Sequence, residues 1–309
     1  MTRPDDCFVA PSEFRAIQKQ AKKALEAADA IGRFPTPIDD VMEAARVIVA
    51  DEAVLDDSFL RRVRRKARSA LRRALSKVIG LLDAVARIVY IDQTILVVKQ
   101  TFLKLHEVAH AVLPWQRDIY CAIEDCEKTL DPDISEAFDR EASVFASEVL
   151  FQLDGFTKQV ADLPFEIGVP LKYSRKYGAS VYATIRRYVS THHSSCAVLV
   201  IDPPIPKEGN GFIAPLRRVV PSESFVMSFG KALQWPDQFT PDDQIGAMLP
   251  IGRKMSRPRG ISLRDCNGNL HECVAEAFAT KYHVFVLVHS VKTLNRMIVI
   301  MPGSRGSFA

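Results

Sequence analysis

At 309 residues, with 48% apolar and 25% charged side chains, the chain has the make-up of a globular protein and is neither disordered nor fibrous. Its net charge of +4 is too small to mark a nucleic-acid binder by itself. Its six cysteines, Cys7, Cys121, Cys126, Cys196, Cys266 and Cys273, hold no CxxC pair and no zinc-knuckle spacing, which excludes a disulfide-stapled scaffold and reads as free thiols.

The opening Met1-Thr-Arg-Pro-Asp-Asp is polar, with no apolar core of signal-peptide length, and no later run is long enough to span a bilayer. A cytoplasmic protein with no membrane partner is expected. Pro11 to Ala28 reads as a helix capped by Ser12, because Phe14, Ile17, Ala21, Ala24, Leu25 and Ala28 recur at helical spacing. Phe34-Pro35-Thr36-Pro37 interrupts it, and Ile38 to Val49 is predicted as a second helix led by Asp39 and Asp40.

Between Arg61 and Lys77 the chain carries nine Arg or Lys side chains and no acid, around a stripe of Leu60, Val63, Ala67, Ala70, Leu71, Ala74 and Leu75. This basic helical segment, 60–77, is either a solvated face or a surface for phosphates or an acidic partner. Ala86 to Asp92 is β-branched and bounded, hence a predicted strand. A helix from about Phe102 stopped by Pro114 comes next, then an acidic loop from Trp115 to Pro132. A helix from about Asp133 to Phe151, opened by an Asp133/Glu136 capping pair, and another from Ser180 to Val189 complete the helical part.

After Ser195 the pattern changes. Ala197 to Ile201 is a continuous apolar strand, Asp202-Pro-Pro-Ile-Pro206 and Gly209-Asn-Gly211 are breakers, and strands are predicted at Phe212–Val220, Ile261–Asp265, Leu270–Ala279, Tyr282–Val291 and Met297–Met301. The fold class expected is α+β, with a mainly helical domain over residues 1–195 and a β-rich domain over 196–309.

One stretch names a chemistry. His106-Glu107-Val108-Ala109-His110 is a HExxH string inside a helical pattern, so its two imidazoles share a helix face and can hold one metal ion. Glu107 lies beside that site as a general base, which suits hydrolysis with a single zinc ion. A catalytic zinc takes three protein ligands, and the downstream helix offers Glu136, Asp139, Glu141 and Glu148 for the third. Glu141 is preferred, since a mid-helix carboxylate among apolar neighbours needs a cation. For the oxyanion, Arg187, Tyr188, His192 and His193 are candidates, Arg187 first. Leu270-His271-Glu272-Cys273-Val274-Ala275 begins like the motif, but Ala275 replaces the second histidine, and it is read as a strand.

Two segments carry a family resemblance. Gln100-Thr-Phe-Leu-Lys-Leu-His-Glu-Val-Ala-His110 resembles the FTLAHELGH segment of the ImmA/IrrE metallopeptidases, and Arg140-Glu141-Ala142-Ser143-Val144-Phe145-Ala146 resembles their EREANxFA segment. Weaker echoes at Pro35–Ala45 and Tyr177–Arg187 extend the likeness over roughly residues 35 to 190. Ser143 stands where the family has Asn, Val108-Ala109 replaces Leu-Gly, and Val149-Leu150-Phe151-Gln152 replaces LLMP. The resemblance implies a zincin-like helical fold with a small sheet, His106, His110 and Glu141 as zinc ligands and Glu107 as base. It also implies a helix-turn-helix repressor as protein substrate, and a GAF-like sensor as the C-terminal domain. The competing expectation is a non-catalytic regulator that binds DNA or a repressor through residues 60–77.

Overall fold

Periodicity is realised most directly in the first helix. In the computed structural model, which describes residues 9–49, 80–83, 87–91, 96–119, 132–207, 211–230, 233 and 235–291, α1 spans Pro11–Ala27 and buries Ile17, Ala21, Ala24 and Leu25. It starts two residues earlier than a cap at Ser12 would allow, with Ala10 in the capping position. Pro11 takes the first helical position, where its missing N–H costs nothing, and the Ala10 N–H donates to Glu13 Oε2 at 2.9 Å. The basic segment 60–77, the strand expected at Met297–Met301 and Cys7, Cys121 and Cys126 lie outside the described residues.

The second helix, α2 (Ile38–Ala44), is shorter than predicted. Arg46 turns the backbone to φ 55°, and Ile48–Val49 leave as strand β1. A Val-Ile-Val run loses rotamer freedom in a helix and fits a pleated surface better. β1 pairs in parallel with β3 (Ile88–Ile91), which pairs on its other side with antiparallel β2 (Gly80–Asp83). Arg87, at φ 54°, precedes β3, and its guanidinium donates to Ala45 O at 2.7 Å, tying the two turns together.

α3 (Val97–Val112) and α4 (Pro132–Leu150) form the helix pair at the centre of the N-terminal part. Leu105, Val108 and Ala109 of α3 and Ala142, Phe145, Ala146 and Val149 of α4 are buried in the same core. Each of the larger side chains among them, Leu105, Val108, Phe145 and Val149, is worth about 1.5–3 kcal/mol when fully buried. α3 does end before Pro114, but residues 114–119 start a new helical stretch rather than a loop. Proline is accommodated in a first turn, and this places Trp115 and Gln116 back against the helix pair.

In the N-terminal part, α5 (Gly155–Val160) and α6 (Gly168–Tyr177) escaped prediction, as did a helix at Glu223–Phe229 further on. All are short and mix aromatic with polar residues, so none shows a full apolar period. α6 is closed by Gly178 at φ 61°, a left-handed cap that favours glycine. Ser180 then caps α7 (Val181–Ser190), its hydroxyl accepting from Ala183 N at 3.1 Å.

The remaining strands build a curled antiparallel sheet, so the molecule is mixed helix and sheet. They are β4 (Cys196–Ile201), β5 (Ile205–Lys207), β6 (Gly211–Pro221), β7 (Gln238–Phe239), β8 (Arg259–Arg264), β9 (Leu270–Ala279) and β10 (Val284–Ser290). Their order is β5-β6-β4-β10-β9-β8, with β7 beside β6 and helix α8 (Glu223–Phe229) after β6. β4 and β10 are buried on both faces, which explains their unbroken apolar sequences. Cys196, Val198, Val200, Phe285 and Leu287 join the core of the helices, while Ala197, Leu199, Val286 and Val288 join a second core with Phe225, Phe229 and Phe239. The change of pattern at Ser195 therefore marks a change of layer, and one core runs through it.

Candidate metal centre

α3 positions its polar side chains by rotation about a buried stripe. Leu105, Val108 and Ala109 fix the helix, which leaves His106 half-buried and Glu107 and His110 buried at the seam with α4. The rings of His106 and His110 lie 5.0 Å apart at 82°. Facing them from α4 is Asp139, whose Oδ1 is 3.8 Å from His106 Nε2 and 3.9 Å from His110 Nε2. One donor atom from each residue lies within 4.8 Å of the others, and among the described residues this His-His-Asp group is one that could hold a metal ion. A tetrahedral ion with bonds of about 2.1 Å sets its donors roughly 3.4 Å apart, so the two Asp139–His pairs need to close by about half an ångström, while the two imidazoles lie within the same 4.8 Å.

Glu141, expected as third ligand, is placed differently. Its Oε2 accepts from Trp115 Nε1 at 2.8 Å and from Gln116 Nε2 at 2.5 Å. Gln116 Nε2 also faces the Phe138 carbonyl at 3.2 Å, so its Oε1 is the acceptor for His110 Nδ1 at 2.6 Å. An amide whose nitrogen serves two acceptors can only accept through its oxygen. His110 therefore carries its proton on Nδ1 and offers the Nε2 lone pair towards His106 and Asp139. Glu141 fixes Gln116, and Gln116 fixes the His110 tautomer, an arrangement typical of the residues behind a metal ligand. Ser143, in the position where the resembling family has Asn, lies with Oγ 3.4 Å from His106 Nδ1.

Electrostatics follow from burial. Desolvation, and secondarily the neighbouring His106, lowers His110 to about 4, so its imidazole is neutral, the form that binds metal. Burial raises Glu107 to about 7, an effect that His106 opposes and Asp139 assists.

Arg187 is not an oxyanion group in this arrangement. It is buried, with its guanidinium bonded to Glu148 and to the Leu153 carbonyl, and Gln18 Nε2 also donates to Glu148 Oε2 at 3.2 Å. Glu148 is fully buried and its charge is met there, which removes it from the ligand candidates. Glu136 pairs with Arg140 at 2.9 Å on the same helix. Tyr188 stacks on Phe165, and His192 stacks on His193. The decoy at His271 lies in β9, with its Nε2 2.9 Å from Asp265 Oδ2.

Sequence reading missed Gln116 altogether. It sits six residues past His110 in a segment taken for loop, and no spacing rule links a glutamine there to the motif. Asp139 was among the candidates, but only the rotation of α4 relative to α3 separates it from Glu141.

No model of a known protein family matches the chain, and no curated protein matches it. Eleven solved chains are similar in structure, 11 by count. Among them is a Mycobacterium tuberculosis transcriptional regulator, at a TM-score of 0.50 and 13% identity, covering 89% of this chain and 76% of that chain. At this identity the likeness is one of fold. Coverage of 89% runs it across both the helical and the β-rich parts. No described helix is long and apolar enough to cross a membrane.

Proposed function

We propose that this chain is a zinc-dependent endopeptidase of the ImmA/IrrE kind, cutting a regulatory protein such as a helix-turn-helix repressor. The observation that carries it is the convergence of His106, His110 and Asp139, with the buried carboxyl of Glu107 next to them on α3. Two imidazoles and one carboxylate are a zinc donor set with room for a fourth ligand. His106, His110 and Asp139 would hold the ion, and Glu141 becomes a positioning residue acting through Gln116. When bound, zinc supplies Lewis acidity, polarising a carbonyl oxygen and easing the ionisation of water. Glu107 takes the proton that water loses and passes it to the leaving amine. Asp139 is the exposed member of the group, so the site faces solvent on the side of α4, where a peptide segment can approach.

The setting in gene regulation is supported by the two motifs and by the neighbour described as a transcriptional regulator. That neighbour also favours a second reading, a non-catalytic regulator that engages DNA or a repressor through residues 60–77 with the metal structural. Co-expression with a helix-turn-helix repressor, taken from beside the gene where one is encoded there, separates the two. The peptidase reading expects a cut product that disappears with chelator and in Glu107→Gln, while that variant keeps its zinc. Undiminished cleavage by Glu107→Gln, or purified protein that takes up no metal, sinks it. Retention on DNA that is lost on charge reversal at Arg64, Arg65 and Arg68, without any cleavage, establishes the second reading.

A further inference from the structure

Three stretches of the chain, residues 96–106, 251–264 and 279–291, hold no Asp or Glu. The fold brings them together at the turn between β9 and β10. Lys254 O accepts from Ala279 N at 2.7 Å, Met255 bridges Phe278, and Ser256 N donates to Ala277 O at 2.9 Å. Residues 254–256 therefore extend the outer edge of β8 along the end of β9. From α3, the Lys99 ammonium lies 5.6 Å from the centre of the Tyr282 ring in that turn, and the Lys281 ammonium lies 5.9 Å from it.

Charge gathers along this edge. Arg253, Lys254, Arg257, Arg259 and Arg264 are exposed, as are Lys99 and Lys281, and no carboxylate among the described residues pairs with any of them. Arg259 and Arg264 donate to backbone carbonyls, of Ala247 at 3.5 Å and Gly268 at 3.1 Å, contacts that leave a cation's charge in place. Glu272, opposite Ser262, and Asp265, bonded to His271, stand towards the far end of β8. Asp202, on the side of His283, is met by Arg217 and by that imidazole at 3.5 Å each. The surface thus carries a local positive field that the net charge of +4 does not reveal. Charged side chains on an edge strand deter pairing with another sheet. That role calls for no aromatic ring, and it does not extend to Lys99 on α3.

Tyr282 decides what kind of polyanion fits. It is 52% exposed, and a ring flanked by ammonium groups offers a base a face to stack on, with the adjoining phosphates beside the cations. Bases in a duplex are already stacked on one another, so the ring engages an unpaired strand. We propose that this surface, from Arg259 along residues 253–257 to Tyr282 and Lys99, binds single-stranded nucleic acid, its phosphates on the basic edge and a base on Tyr282. The surface is separate from residues 60–77 and from His106, His110 and Asp139, and it stands without the peptidase reading.

Fluorescence anisotropy of the full chain with labelled oligo-dT and oligo-rU of about 15 nucleotides tests this. Saturable binding of at least one is expected, weakening as salt rises, and the tighter of the two identifies the natural backbone. Tyr282→Ala should weaken it at least ~5-fold, the loss of one stacked base, while Tyr282→Phe keeps it. Arg257→Gln and Lys281→Gln should each flatten the slope of log affinity against log salt by ~0.7, the share of one phosphate contact on a single strand. All three positions are exposed, so these variants keep the fold. No saturable binding, a duplex of the same length held more tightly, polyglutamate held as tightly, or unchanged affinity in Tyr282→Ala overturns the proposal. Binding that survives Arg257→Gln and Lys281→Gln unchanged, but is lost on charge reversal at Arg64, Arg65 and Arg68, overturns it too, by assigning the strand to residues 60–77.

Discussion

The two halves of α4 carry carboxylates with opposite fates. Near its start Asp139 is 62% exposed at the side chain and looks at two imidazoles; near its end Glu148 is fully buried against Arg187 and Gln18. The same helix thus presents one acid that is free to take an ion and one that is already neutralised. A carboxylate far from water needs its cation in the fold itself, whereas an exposed one can wait for a ligand. Between them Glu141 is intermediate in both burial and task, holding Gln116 rather than facing the imidazoles.

Substitutions sharpen this contrast. The largest expected effect is at the imidazoles: His110→Ala should leave the protein without zinc by elemental analysis, while folding is kept, because α3 is anchored by its apolar stripe. Asp139→Asn should follow closely, weakening zinc by more than Glu141→Gln does; the reverse order would restore Glu141 as third ligand. Next comes Arg187→Ala, expected to cost about 3–5 kcal/mol in denaturant unfolding, since it strands the buried Glu148 charge. A loss below about 1 kcal/mol would show that water reaches that end of α4. Gln116→Ala should lower zinc affinity about 10–100-fold in competition with a chelator, by releasing the His110 tautomer. Ser143→Ala is the smallest, about 1 kcal/mol or less on zinc binding, for one long hydrogen bond.

What could be read beforehand follows from how local each feature is. His106, Glu107 and His110 were legible because four residues on a helix is a fixed geometry. The outline of β9 and the buried strand β4 were legible for the same reason, since a period of two or an unbroken apolar run needs no partner to be seen. The choice between Asp139 and Glu141 was not, because two residues on one helix differ by its rotation against α3, which is set by Phe145, Ala146 and Val149 packing under Leu105 and Val108. Val47 to Val49 shows the converse failure: a helical reading of a β-branched tail yielded once β3 was there to pair with it. The role of Arg187 was likewise decided by Glu148, a contact 39 residues away in sequence.

The order of the large sheet has a consequence for biosynthesis. β10 is the last of its described strands along the chain, yet it lies in the middle, between β4 and β9. Until residues 284–290 have emerged from the ribosome, β4 with β6 and β9 with β8 are two separate ribbons, each with an open edge, and the strand that carries Phe285 is missing. Pairings this distant in sequence form late, and their absence leaves apolar edges exposed. A nascent chain therefore holds the residues of its helix pair, His106, His110 and Asp139 among them, well before it has the strand whose Phe285 and Leu287 complete their shared core. Release of a chain shortened by one strand would leave that shared core open on the side of β4.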